Sequence, residues 1–379
     1  MLGEILDQPA VLERTARAVE DYFSAKAIDR APEGRILLTG CGDMDFSARA
    51  CAGLLSAECP SSRRRVHALS SMEMRWEADH ITDGDVVIVS SFSGLTPRSV
   101  EALLLARDRG ARLFSITGNP DSTLAREADD VLFLPTGPRD ELHKHAYAGY
   151  HANVPQTKTY TAALYAELLL LARLVSDGDG DGDRWGAELE SLPAHVEGAI
   201  AALEPAIDSY VSTALGGPEA VVILGSGIWR PAAMYGAAKF LEMSIASRHQ
   251  CLEEFNHLEL FLTGAESLVV LVCPDTRSWT RGGELVDAYE KLGCGRLVLR
   301  AADEGAAPVS AGAAHVALSG AGTTARFFSA VLALQLLAAA SGPALGRDID
   351  RWVGGKRTAL IEQLSQTTIR ASEIRAPRL

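Results

Sequence analysis

Short apolar runs of strand length alternate along the chain with longer stretches that keep a single apolar face. "RILLTG", "DVVIVSS", "RLFSIT" and "VLFLP" are of the first kind, and "SVEALLLARDRG", which stops at Gly110, is of the second. Bounded apolar runs predict buried strands, and a one-faced stretch ending in glycine predicts a helix with a defined stop. Their alternation predicts parallel strands joined by crossover helices. A helix is expected over "TYTAALYAELLLLARLV", after which "SDGDGDGDRWG" reads as a solvated linker. The rhythm then restarts with "AVVILGSG", "SLVVLVC", "RLVLR" and "HVALS". The openings "ILLTGCG" and "VVILGSG" suggest one strand and turn used twice, so the expected fold class is α/β, two sandwiches in tandem with parallel sheets.

Composition sharpens this. A chain of 379 residues with 47% hydrophobic content exceeds one core of usual size, so two domains are expected. A formal charge of -13 leaves no basic stripe, which argues against a nucleic-acid or anionic-membrane partner and requires any anionic ligand to be held by local dipoles. No apolar run reaches the ~18 residues of a membrane span, and "MLGEILDQPAVLERTARAVEDYF" reads as a charged amphipathic helix rather than a signal peptide, so the cytoplasm is expected. Cys41, Cys51, Cys59, Cys251, Cys273 and Cys294 show no CxxC spacing and read as small core residues, with no zinc site. Gly40-Cys41-Gly42 and Gly225-Ser226-Gly227 each follow a strand. The third glycine of a dinucleotide fingerprint is replaced by Asp45 and Arg230, which sets a nicotinamide cofactor aside. Asp177, Asp179, Asp181, Gly182 and Glu188 satisfy a calcium-loop pattern, but Arg184 stands where an aliphatic residue belongs, and the linker reading is preferred. No metal or organic cofactor is expected.

The candidate chemistry begins at "SSFSGLT", residues 90–96, placed where a strand hands over to a helix. Thr96 followed by Pro97 is a helix start, with threonine able to cap free amides and proline fitting the first turn. Ser91, Ser93 and Thr96 offer hydroxyls at the positive end of that helix, and Gly94 permits close backbone approach. Taken alone, the loop reads either as a phosphate cradle or as an ordinary Ser/Thr-rich turn.

From Ser90 to Pro135 the chain closely resembles the signature of the sugar isomerase (SIS) domain, in which an SxSGxT loop binds the phosphate of a phosphosugar. "AGYHANVPQTKTYTAAL" is similar to the stretch that closes the first SIS domain of glucosamine-6-phosphate synthase and its relatives, and "GAAKFLEMSIASRHQCLEEFNHLELFL" to the helix and loop of their second. The resemblance implies two tandem SIS-type three-layer α/β/α sandwiches. Their expected bounds are 35–176 and 191–345, with an N-terminal helix over 1–34, an acidic linker over 177–190 and a tail over 346–379. It implies that Ser91, Ser93, Gly94 and Thr96 bind phosphate, that Lys239 and Glu242 lie on the catalytic helix, and that His257 opens the sugar ring. Asp43, His151 and Lys158 are expected around the pocket. Aldose–ketose conversion removes a proton beside a carbonyl and returns it one carbon away, which calls for a carboxylate base and a separate acid/base group. Lys239 and Glu242, three apart on one helix face, suit that need, although a Lys-x-x-Glu pair is also an ordinary surface ion pair.

The departures from the family pattern are specific. Asp43 and Met44 replace the usual Thr-Ser, Phe92 stands where an amide is frequent, and His151 aligns with a frequent glutamate. "EEFNHLEL" is nearer the Asn-His arrangement of phosphoglucose/phosphomannose isomerases than His-Gly-Pro, which makes Glu254 the reserve base. Nothing before residue 35 resembles a glutaminase, so no glutamine-derived ammonia is expected. The implied activity is that of a sugar-phosphate aldose/ketose isomerase, with or without deamination of an amino-sugar phosphate through an enediol(amine). A fructosamine-phosphate deglycase and a non-catalytic sugar-phosphate sensor stay open. The expected partners are a small phosphorylated sugar or amino sugar and a second copy of the chain.

Overall fold

A computed structural model describes residues 1–26, 34–137, 155–175, 180–301, 312–349 and 359–370. They form two compact units: one from the described residues of Asp7–Ala152, Lys158–Pro193 and Ala359–Leu379, the other from those of Met1–Leu6, Asn153–Thr157 and Ala194–Thr358.

The first unit is built on β1 (Ile36–Gly40), β2 (Val66–Ser70), β3 (Val86–Ser90), β4 (Arg112–Thr117) and β5 (Asp130–Phe133), in the order β2-β1-β3-β4-β5. All four pairings are parallel, with Leu38 opposite Ile88 and Ile88 opposite Phe114 at the centre. The interior strands β1 and β3 are buried on both faces, as continuous Val/Ile/Leu runs require. The edge strand β2, "VHALS", escapes the pattern because only Val66 is fully buried. The sheet is flanked by α3 (Asp43–Glu58), α5 (Pro97–Asp108) and α7 (Lys158–Val175); short α4 (Met74–Glu77) and α6 (Thr123–Glu127) complete the connections. Val100, Leu103 and Ala106 of α5 enter one core with Val87, Val89 and Leu113. Each fully buried aliphatic side chain contributes roughly 1.5–3 kcal/mol.

The second unit repeats the plan with β6 (Ala220–Gly225), β7 (Ala246–Gln250), β8 (Ser267–Val272), β9 (Gly295–Ala301) and β10 (Ala314–Leu318). Its order is β10-β9-β8-β6-β7, the same topology, and every pairing is again parallel. Gly42 and Gly227 follow β1 and β6 with the same φ of 59°, in the left-handed region that favours glycine, so the two openings are one turn used twice. The edge strand β7, "ASRHQ", was illegible for the same reason as β2: only Ser247 is fully buried. The main helices are α9 (Leu192–Ala214), α10 (Arg230–Glu242), α12 (Thr276–Tyr289) and α13 (Thr323–Ala344), with a one-turn α11 (Glu254–His257).

Four expectations are corrected. The N-terminal helix is two, α1 (Leu2–Leu6) and α2 (Gln8–Ala25), broken at Asp7 where Pro9 starts the second. The stretch read as a solvated linker is helical over α8 (Asp181–Glu190), because Trp185 and Leu189 supply an apolar face that is buried. Asp181 and Glu188 therefore lie on a helix rather than in a calcium loop; Asp177 and Asp179 fall outside the described residues. Among the described residues one helix, Thr323–Ala344, is long and apolar enough to cross a membrane, with mean hydropathy 1.6, but 83% of that window is buried, as in the core helix of a sandwich. Finally, Cys41 and Cys251 are only partly buried, unlike the other cysteines.

Candidate active site

In open parallel sheets, ligands bind outside the carboxyl ends of the strands where the strand order reverses. In the first sheet that point lies between β1 and β3, and the segments leaving those strands there are Cys41–Gly42 and the loop Ser91–Thr96. The predicted phosphate loop thus occupies the crevice position of its fold. Ser91 is buried at its base, its Oγ 3.2 Å from Thr96 Oγ1, and Ser93 and Thr96 are partly exposed. Ser93 Oγ accepts from Leu95 N at 3.3 Å, so its own hydrogen stays available to a ligand. Thr96 is the N-cap residue of α5, yet its side chain makes no capping bond. That expectation is corrected: the hydroxyl turns to Ser91 instead.

Gly94, with φ 62°, is required twice, by conformation and by space: a Cβ there would come within 2.1 Å of Ser122 Oγ and 2.8 Å of Thr117 Oγ1. Sequence reasoning missed the turn that enforces this. Asn119 Nδ2 donates to Ser93 O at 3.1 Å, Thr117 Oγ1 donates to Phe92 O at 3.2 Å, and Leu124 N donates to Gly94 O at 3.1 Å. The signal was the polar cluster "TGNPDS" directly after β4. Glu167 of α7 was missed as well. Fully buried, it accepts from Ser90 Oγ at 2.5 Å, from Ser47 Oγ at 2.5 Å and from Cys51 Sγ at 3.2 Å. Burial pushes its carboxyl up to about 7 against those three bonds.

Charge at the two helix starts differs. The first turn of α3 carries Asp43 and Asp45, whereas that of α5 carries no acid. Asp45 is held by Arg49 at 3.0 Å, and burial raises its pKa. An anion is therefore favoured at α5, and the α3 side favours a hydroxyl or a cation. Lys158 Nζ lies 3.0 Å from Asp7 Oδ2, and His151 lies outside the described residues.

The second sheet's equivalent crevice, between β6 and β8, is bridged. Trp229 is buried and donates from Nε1 to Asp275 Oδ2 at 2.6 Å, while Asp275 also accepts from Ser278 N at 2.7 Å in a capping box for α12. The second unit buries a charged pair on α10. Lys239 is 0% exposed, and its Nζ lies 2.9 Å from Glu242 Oε1, donates to Gln156 O at 3.1 Å and sits 4.9 Å from the Tyr235 ring centroid. The Tyr235 hydroxyl in turn accepts from Gln335 Nε2 at 2.9 Å. Holding an ammonium there costs on the order of several kcal/mol in desolvation, which the carboxylate, carbonyl and ring offset. Glu242 keeps 29% of its side chain exposed, although its Oε2 is itself buried. His257 is 64% exposed and reaches Glu253 at 3.6 Å; it neither pairs nor hydrogen-bonds with Lys239 or Glu242. Glu254 is exposed at the start of the same turn.

Residues 31–171 match the SIS domain. The glutamine–fructose-6-phosphate aminotransferase (isomerizing) of Streptomyces coelicolor is 25% identical over 93% of this chain and 57% of its own length. The chain spans from about a third to just over half of the curated relatives it matches. Among solved structures, the C-terminal domain of glucosamine-fructose-6-phosphate aminotransferase from Francisella tularensis superposes with a TM-score of 0.75 at 20% identity, covering 93% of this chain and 97% of that one. Tagatose-6-phosphate ketose/aldose isomerase from Escherichia coli gives 0.68 at 19% identity over 94% and 96%. The fold is accordingly that of SIS proteins, three-layer α/β/α with a parallel five-stranded sheet in each unit.

Proposed function

We propose, for a chain whose residues 31–171 are a SIS domain, that the protein interconverts aldose and ketose forms of a sugar phosphate, with an amino-sugar phosphate the favoured substrate class. The observation that carries this reading is the Lys239–Glu242 pair: a fully buried ammonium 2.9 Å from the carboxylate of a side chain that is itself 29% exposed. In that role Glu242 removes the proton beside the carbonyl and returns it to the neighbouring carbon. Lys239 holds Glu242 ionised and stabilises the enediolate oxygen as charge develops there. Ser91, Ser93, Gly94 and Thr96 hold the phosphate, and His257 serves ring opening. Asp43, at an α3 start that favours a cation, supports an ammonium-bearing sugar and with it release of ammonia after isomerisation. The names of the matched proteins, an isomerizing aminotransferase and a ketose/aldose isomerase, support the reaction class. Leu258, Phe261 and Leu262, 56%, 80% and 68% exposed beside His257, support a homodimer in which a second copy covers them.

The test is isotope exchange. Hexose, hexosamine and fructosamine 6-phosphates are incubated with the protein in deuterated water, and exchange at carbon 1 or 2 is followed by NMR. Exchange with at least one is expected, and Glu242→Gln should slow it by about 10² to 10⁴ while binding persists. Binding without exchange for every sugar would replace the enzyme by a sensor. Full turnover in Glu242→Gln with none in Glu254→Gln would move the base to α11.

A further inference from the structure

Glu167 has no part in the reaction described above, yet it lies directly under the crevice of the first sheet. Its two oxygens reach the two elements whose ends form that crevice. Oε1 takes the hydroxyl of Ser90, the last residue of β3 and the neighbour of Ser91; Oε2 takes that of Ser47, one turn into α3 from Asp43. The side chain is 0% exposed. Among the described residues its partners are neutral donors alone, Ser47, Ser90 and the Cys51 thiol. Of the elements packed on α7, α3 contributes Ser47 and Cys51, while α2, β4 and α8 set no charged group against it. Among the described residues, the one other titratable group that faces it is Cys51, whose pKa is raised well above the ordinary thiol value by burial and by Glu167 itself.

We infer that Glu167 is the positioning residue of the anion site at Ser91–Thr96, acting through Ser90 and Ser47, and that it takes up a proton from solvent when an anionic ligand binds there. This rests on the reading of that loop as an anion site. An uncompensated buried carboxylate about 10 Å from the loop, a separation of one residue of chain plus two side chains, opposes the arrival of a second negative charge. Protonation removes the opposition: the carboxyl then donates to one serine and accepts from the other, so both elements stay tied and no charge remains below the crevice. A carboxyl already pushed up to about 7 is divided between both forms at neutral pH, which makes the uptake measurable. No protein bond is made or broken; the proton comes from buffer.

The experiment is calorimetric titration of the full chain with glucose 6-sulfate, whose ester has no titratable proton in this range, in buffers of different ionisation enthalpy. At pH 7 wild type should take up as much as about half a proton per ligand bound, and its affinity should weaken roughly tenfold from pH 6 to pH 8. Glu167→Gln should take up none and bind equally at both pH values. Infrared difference spectra of wild type provide a reading that does not depend on the variant folding: ligand addition at pH 7.5 should increase the protonated-carboxyl band. Binding by wild type with no uptake and no band overturns the inference, as does equal uptake in a folded Glu167→Gln. Absence of wild-type binding overturns the anion-site reading itself, and the linkage with it.

Discussion

Replacing Glu167 by Gln should stabilise the first sheet in a manner set by pH. The carboxyl has an ordinary value of 4.5 and is pushed up to about 7 by complete burial, which outweighs the bonds from Ser47, Ser90 and Cys51. Below pH 4.5 both folded and unfolded chains hold the proton, and the group contributes nothing. Between 4.5 and about 7 the folded chain keeps a proton that the unfolded chain has lost, so stability falls as pH rises; above about 7 the full penalty of the buried charge is present. That interval corresponds to about 3 kcal/mol. Glutamine keeps the shape, accepts from one serine and donates to the other, and carries no charge. The variant should match wild type within about 1 kcal/mol at pH 5 and exceed it by about 2–4 kcal/mol at pH 8. Two units make a single global transition a poor measure, so the comparison belongs to hydrogen exchange of the β1 and β3 amides, variant against wild type at each pH. An identical difference at pH 5 and pH 8 would refute the reasoning, since a group that does not titrate cannot carry it.

Gly94→Ala should cost about 1–2 kcal/mol for the left-handed backbone alone, and more because Ser122 Oγ and Thr117 Oγ1 occupy the space of the new methyl group. Phosphosugar affinity measured by calorimetry should fall with the loop while exchange protection of the second sheet stays unchanged; retained affinity would mean that the loop does not bind phosphate. Asp275→Ala removes both the cap of α12 and the acceptor of the Trp229 indole, and should destabilise the second sheet by about 2–4 kcal/mol. Asp275→Asn keeps one acceptor oxygen but turns an NH2 donor toward either the Trp229 indole or the Ser278 amide, so it should recover only part of that in the same exchange measurement, and full recovery would show that one of the two bonds contributes little.

What could be read from the sequence divides along a physical line. Interior strands announce themselves because both faces are buried, so β1, β3, β6 and β8 appear as unbroken apolar runs. The edge strands β2 and β7 carry only one fully buried residue each, and no run or alternation remains to find. The loop at Ser91–Thr96 was legible because its hydroxyls and its glycine are crowded into six consecutive positions. Its support was not, because support is long-range: Asn119 meets Ser93 across 26 residues, and Glu167 meets Ser90 across 77. A glutamate inside "YAELLLL" looks like the polar face of a surface helix, and only a helix buried on nearly every side makes it an interior charge. The same limit explains the asymmetry of the two units. Their openings match in sequence and in φ, which predicts two similar crevices, but Trp229 and Asp275, 46 residues apart, bridge the second one. Among the described residues the two units therefore differ at this point, and the second unit instead buries a charged pair on α10, with Lys239 0% exposed beside Glu242.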